Sequence, residues 1–138
     1  MKIRRLLIPL FLLMILISAC APEQAAVEEA VLTVGDRGFS LSELEALGTI
    51  SVDYTNKDGE TTTYSGAPLA SLLETAGMTG SGTIVFTAAD GFQADMALEE
   101  ALGCADCIVA IDNGSLRMVM PEMSGKLQVK DVIEISLE

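Results

Sequence analysis

The chain has 138 residues, half of them hydrophobic and only 4% aromatic, with 20 acidic residues, 8 basic residues and no histidine. Three of the basic residues lie within the first five positions, so the remainder carries 5 basic against 20 acidic residues, a net charge of −15. Such an acidic surface repels nucleic acid, which is excluded as a partner. Without histidine, catalytic arrangements of the Ser/His/Asp or Cys/His kind are excluded as well.

The first 19 residues have the composition of an export signal. A positive start at Lys2, Arg4 and Arg5 precedes an apolar run over residues 6–17, which is shorter than the about 20 residues that cross a bilayer. The run ends in ISAC, which resembles the cleavage motif of bacterial lipoproteins; the alternative is an ordinary signal with a chance cysteine. We therefore expect a signal peptide over residues 1–19, lipidation of Cys20 with acyl chains such as palmitate, and location on the extracytoplasmic face of a bacterial membrane.

The segment over residues 20–30 is short, rich in Ala and Glu, and without apolar periodicity. These properties predict a flexible tether between the lipid and a folded domain. The following residues, 31–138, suit one domain with one core.

The sequence of the first half of this domain predicts a strand, a short helix and a second strand that continues into a hairpin. The alternation of Ile50, Val52 and Tyr54 with polar residues indicates a half-buried strand. We predict these elements as a strand at 31–35, a helix at 39–47 begun by Ser40 or Ser42, a strand at 49–55, a turn at 56–60 and a strand at 61–66.

The second half predicts a helix opened by Pro68 and closed by Gly77, with its leucines on the core side. The further elements are strands at 83–89, 92–96, 107–111, 116–121 and 129–138, a helix at 97–102, and turns at Asp90-Gly91 and Asn113-Gly114. About seven strands with three short helices predict an α+β domain with a mixed or antiparallel sheet.

Four stretches follow one another in a recognisable order: YSGAPLASLLETAG (64–77), TIVFTAADGFQADMALEEAL (83–102), CIVAIDNGSLRMVMPE (107–122) and VKDVIEISLE (129–138). Together they resemble the oxidoreductase molybdopterin-binding domain of the sulfite oxidase family, over residues 49–138. The resemblance implies the sulfite-oxidase-like α+β fold with a mixed sheet and short helices.

The resemblance also bears on chemistry. In catalytic members of that family a cysteine before the G.PL motif ligates molybdenum, and basic residues and histidines hold the pterin phosphate. The matching segment here, VDYTN at 52–56, contains no cysteine. The basic residues that remain to face an anionic cofactor are Arg37, Lys57, Arg117, Lys126 and Lys130.

We therefore assign no metal site, no catalytic residue and no cofactor from the residues themselves, while the resemblance implies molybdopterin. The predicted function is a degenerate, non-catalytic ligand-binding or accessory module, whose partner is a small ligand or an oxidoreductase. The alternative is a genuine redox protein, a molybdopterin-dependent oxidoreductase or one that uses a Cys104/Cys107 dithiol.

Two stretches are the most similar to the family and supply the candidate ligand contacts. They are Tyr64, Ser65 and Gly66, and Asp90, Gly91 and Phe92. Glycines at such places let a backbone approach a ligand, and they equally let the chain turn.

Cys104 and Cys107 lie between the predicted helix at 97–102 and the predicted strand at 107–111. Outside the cytoplasm a thiol pair tends to be oxidised, so we expect a local disulfide. Buried free thiols, a redox pair and a metal site are the alternatives. A redox pair usually opens a helix, whereas Cys107 leads into a strand, and a zinc site would find only two of its four ligands here.

Overall fold

The structure, a computed structural model, describes residues 28–138; the predicted signal peptide, the lipidation site Cys20 and the tether up to residue 27 lie outside the described residues. The elements are β1 (Leu32–Val34), β2 (Arg37–Phe39), α1 (Leu41–Ala46), β3 (Ile50–Thr55), β4 (Thr61–Pro68), α2 (Leu69–Thr75), β5 (Thr83–Ala88), β6 (Gln93–Ala97), α3 (Leu98–Leu102), β7 (Ile108–Asp112), β8 (Ser115–Val119), a 3-10 turn (Gly125–Leu127) and β9 (Val132–Leu137). Within the described residues no helix is both long enough and apolar enough to cross a bilayer. The predicted α+β class is confirmed.

The strands form two sheets. Five strands lie in the order β2-β1-β9-β5-β6, and this sheet is mixed because β1 runs parallel to β9. Four strands lie in the order β3-β4-β7-β8, and all of their pairings are antiparallel. The division into two sheets was not predicted, since alternation along a strand reveals which side is buried and not which strand lies beside it.

The start of the first helix differs from the prediction. Phe39 was predicted to be helical, but it pairs with Leu32 in the β1-β2 hairpin and is buried there. Ser40 is the N-cap, as one of the two predicted alternatives, and it forms a reciprocal capping box with Glu43. The bond that Glu43 accepts from the Ser40 backbone N–H lowers the pKa of this carboxyl.

The last predicted strand, 129–138, is divided in the structure. Lys130 forms a bridge with Arg117 of β8, and β9 begins only at Val132 in the other sheet. Between them Asp131 adopts a left-handed backbone with φ of 53°. This residue therefore marks the point at which the chain passes from one sheet to the other.

Two apolar clusters fill the domain. The larger one includes the leucines of α2, which are buried as predicted, together with Phe39 and Phe86. The smaller one consists of Val52, Ile108, Ala110 and Val119 in the four-stranded sheet. Two tyrosines, Tyr54 and Tyr64, pack against the smaller cluster and are partly exposed, so they form the border between core and solvent.

Candidate ligand-binding site

The site begins with the hairpin of β3 and β4. Their register pairs Val52 with Tyr64 and Tyr54 with Thr62, so these four side chains lie on one face of the sheet. The turn between the strands is held by Asn56, whose Oδ1 accepts hydrogen bonds from the backbone N–H groups of Asp58 and Glu60. The result is an extended arm that presents both tyrosines on the side of the smaller cluster.

Arg117 of β8 lies over this arm. Its guanidinium carbon is 4.9 Å from the centre of the Tyr64 ring, within the range of a cation–π contact. Its Nε is buried and has no hydrogen-bond partner among the described residues. A buried donor without a partner costs about 1–3 kcal/mol, so an acceptor placed here would recover that cost.

A cleft of about 490 Å³ opens beside this arginine, and we name it the Arg117 cleft. Its lining consists of Tyr54, Tyr64, Thr62, Arg117, the polar residues of the 56–60 turn, Gly125, Gln128 and Lys130. This volume lies within the range of about 300–1,000 Å³ that is usual for small-molecule sites.

A second cleft of about 220 Å³, the Phe92 cleft, adjoins the first. It is lined by Asp90, Phe92 and Lys126. It also shares Gly125, Gln128 and Lys130 with the Arg117 cleft. Tyr64 and the Asp90–Phe92 turn are remote in the sequence, but they line neighbouring clefts, Tyr64 the first and the turn the second. The segment over residues 125–130 contributes to both clefts.

The other three candidate residues lie elsewhere. Ser65 points to the opposite face of the hairpin, where its hydroxyl is 2.7 Å from that of Ser51. Gly66 is buried where β4 meets β7, and a Cβ at this position would overlap the carbonyl oxygen of Val109. Gly91 has φ of 89° in an open turn. Close packing explains the glycine at position 66, and the positive φ explains the glycine at position 91. Ser65, Gly66 and Gly91 line neither cleft.

The segment between the clefts is fixed by a side-chain clamp. Gln128 Oε1 accepts from the backbone N–H of Met120 at 2.9 Å, and its Nε2 donates to the Met120 carbonyl oxygen at 2.6 Å. The backbone N–H of Met118 donates to Val129 close by. These two bonds to one residue resemble a strand pair and hold the arc over residues 120–128, which contains Lys126. Lys130 follows the arc and is held by its bridge to Arg117.

Charge distribution separates this region from the rest of the molecule. Four of the five basic residues that follow the signal line the two clefts, together with three acidic residues, Asp58, Glu60 and Asp90. The fifth, Arg37, stacks on Phe39 at 4.6 Å and pairs with Glu43 at 3.6 Å. All five basic residues were candidates from the sequence, whereas Tyr54 and Gln128 were not; the scarcity of basic residues was the signal that could have drawn attention to this region.

Cys104 and Cys107 form a disulfide across the connection between α3 and β7, with their Cα atoms 5.5 Å apart. Cys107 is fully buried, and its carbonyl oxygen accepts from the backbone N–H of Leu69 at the start of α2. Neither cysteine lines the Arg117 cleft or the Phe92 cleft.

The chain resembles known proteins in structure but not in sequence. No protein family and no curated protein matches the sequence. Among solved structures, the chain is similar to the sulfane dehydrogenase SoxCD from Paracoccus pantotrophus, a sulfite-oxidase-family protein, with a TM-score of 0.63 and 16% identity. The match covers 78% of this chain and 37% of that one, so this chain spans well under half of its length. The predicted sulfite-oxidase-like fold is confirmed.

The donors present can be tested against the molybdenum centre that the resemblance implies. A cysteine thiolate would have to reach the cleft, but both cysteines of the described residues are bonded to each other and lie outside it. Within the described residues no group of three or more cysteine and carboxylate side chains is arranged to hold a metal ion. The residues do not fit cysteine-ligated molybdenum, whereas the cations of the clefts do fit an anionic group.

Proposed function

We propose that this protein is a membrane-anchored, extracytoplasmic binding module that holds a small anionic ligand in the Arg117 cleft, without molybdenum catalysis, as an accessory to an oxidoreductase. The anchor and the location rest on the lipoprotein motif at Cys20. The accessory role rests on the fold shared with an oxidoreductase of much greater length.

The observation that carries the proposal is the concentration of positive charge. The clefts contain four cations and three carboxylates, whereas the rest of the sequence after residue 20 contains one cation and 17 carboxylates. A chain this acidic repels anions everywhere else, so an anion is held most favourably beside Arg117 and Lys130. The unpartnered Nε of Arg117 adds a donor at the same place.

The other groups that line the cleft restrict the kinds of ligand that fit it. Tyr54 and Tyr64 present aromatic surface, which suits a planar part of a ligand. Asp58 and Glu60 at the tip of the hairpin accept hydrogen bonds from N–H groups. A planar molecule that combines a phosphate or carboxylate with N–H donors matches these three kinds of lining.

The redox alternative receives less support from the same geometry. A molybdopterin centre would need an unconventional ligand in place of the thiolate. A Cys104/Cys107 dithiol would act away from the clefts, through Cys104 alone, because Cys107 is fully buried. The binding role therefore explains more of the arrangement.

The first test measures molybdenum and pterin in the full chain, purified in mild detergent from a host that makes the molybdenum cofactor. We expect a folded protein with molybdenum far below one atom per chain. Near-stoichiometric molybdenum with pterin fluorescence would overturn the proposal and require a search for the unconventional ligand.

The second test follows thermal unfolding of the full chain as inorganic pyrophosphate is added at constant ionic strength. Ligand that binds only the folded state raises Tm with concentration. We expect a saturable rise that the Lys126→Gln/Lys130→Gln double variant loses. An equal rise in both proteins would reveal a general salt effect and contradict an anion site in the clefts.

A further inference from the structure

β3 is an uncovered sheet edge. Within residues 28–138 it pairs only with β4 and forms the outer strand of the four-stranded sheet. The other edges are short or occupied: β2 has three residues, β8 is bridged by Lys130, and β6 lies beside the 3-10 turn. Of the described strands, β3 therefore offers the longest open edge.

The direction of its backbone groups follows from the hairpin register. The N–H of Asn56 donates to the carbonyl of Glu60, so this pair is a hydrogen-bonded one, and the alternation of an antiparallel ladder makes 55/61, 53/63 and 51/65 non-hydrogen-bonded pairs. Side chains approach most closely in such pairs, and all three are joined by side-chain hydrogen bonds of 2.6–2.7 Å. The N–H and C=O groups of Ser51, Asp53 and Thr55 consequently point outward, away from β4.

The usual protections of an edge strand are largely missing from β3. Its sequence, ISVDYT, contains no proline and no lysine, and its register with β4 runs over six residue pairs without a bulge. Natural proteins use proline, lysine or a bulge to block an exposed edge, because outward N–H and C=O groups form a template for another strand. β3 presents three outward groups of each kind. Asp53 is the one charged side chain on the edge.

The chemistry of the edge defines what fits it. On one face of β3, Ile50 is 36% exposed and Tyr54 is partly exposed, so apolar side chains of an added strand would be covered there. On the other face Asp53 lies between two hydroxyl residues and favours a cation. A second copy of this chain would bring another Asp53 and another charge of −15, so like-charge repulsion opposes self-pairing.

We propose that β3 binds an extended segment of a partner protein by strand addition, and that this segment alternates apolar residues with Lys or Arg. The apolar side chains lie against Ile50 and Tyr54, and a basic side chain lies beside Asp53. Main-chain hydrogen bonds supply affinity in this mode of recognition, and the alternating side chains supply selectivity. Of the edge groups, Tyr54 alone also lines the Arg117 cleft, and the outward main-chain groups and Asp53 lie outside that lining, so the inference does not depend on the anionic ligand.

The test uses the full chain in mild detergent and a synthetic peptide of four Lys and three Val residues in strict alternation. Hydrogen exchange of the backbone amides is followed by NMR. We expect slower exchange at Ser51, Asp53 and Thr55 when the peptide is added. A peptide of the same composition with its lysines in one block, and an alternating peptide methylated on alternate backbone nitrogens, should give no protection. Equal protection by all three peptides would show attraction by charge alone and overturn the proposal.

Variants of one residue separate backbone pairing from charge. Asp53→Pro removes an outward N–H without touching the β4 ladder and should abolish peptide binding, whereas Asp53→Asn should weaken it several-fold. Asp53→Lys retains the backbone and should prefer an alternating Glu/Val peptide. Unchanged preference in Asp53→Lys would contradict the assigned chemistry. If sedimentation detects a dimer and Asp53→Pro abolishes it, the strand that β3 binds belongs to a second copy of this chain and not to a partner protein.

Discussion

The guanidinium of Arg117 stacks at 4.9 Å on the ring of Tyr64, on the sheet face that borders the larger cleft. Arg117 forms no ion pair within the described residues, and its Nε has no partner there. The stacking holds the planar group in place without neutralising it. An anion can therefore bind Arg117 without first displacing an internal carboxylate.

Replacing this arginine tests the cleft directly. We expect Arg117→Met to lower the affinity for inorganic pyrophosphate by roughly tenfold, equivalent to about 1.4 kcal/mol. Isothermal titration calorimetry at constant ionic strength measures the change.

Arg37→Met is the matched control, because Arg37 also stacks on an aromatic ring but lies outside both clefts. It should leave the affinity within about twofold, as the effect of a distant exposed charge is screened by salt. Similar losses in both variants would mean that net charge, and not the cleft, determines anion binding.

The Gln128 clamp is expected to stabilise the domain. Gln128→Ala leaves the buried Met120 N–H without its partner, while the Met120 carbonyl keeps only the bond from the Met123 N–H, which should cost about 1–3 kcal/mol of unfolding free energy. Urea denaturation measures this, with Gln93→Ala as the control, since Gln93 makes one exposed bond to Thr87. A loss below 0.5 kcal/mol, roughly the effect of a surface substitution, would contradict the clamp.

Gly66 is expected to tolerate no side chain. Gly66→Ala places a methyl group against the Val109 carbonyl and the Ala110 Cα, which are backbone atoms and cannot move aside singly. We expect a loss of about 3 kcal/mol or failure to fold. Gly103→Ala is the control, because its Cβ would meet only ordinary contacts. Equal thermal stability of the two variants would show that β4 and β7 separate easily.

The disulfide is expected to contribute stability and not ligand binding. The double variant Cys104→Ala/Cys107→Ala lacks the disulfide that closes a short loop. Its free energy of unfolding in denaturant should therefore be lower by about 2 kcal/mol. Pyrophosphate affinity should be unchanged, since neither cysteine lines a cleft. A folded double variant that loses the affinity would instead favour a functional role for the thiols.

Local patterns in the sequence determined much of the secondary structure. The alternation of Val52 and Tyr54, the proline before α2 and the Asn113-Gly114 turn each depend on neighbouring residues only, and the structure has the expected elements at each place. The cap at Ser40 is local in the same sense. The order of motifs extended this to the fold, which the structural likeness to SoxCD confirms.

Contacts between remote segments were decided only by the tertiary structure. The periodicity of the sequence does not predict the bridge between Lys130 and Arg117 or the hydrogen bonds between Gln128 and Met120. It also does not predict that the chain passes into the other sheet at Asp131. The same holds for the cleft, whose cations are scattered from position 57 to position 130 and meet because two sheets and one clamped arc bring them together. Sequence alone determined which residues carry charge, and the three-dimensional pairing of strands determined where that charge is concentrated.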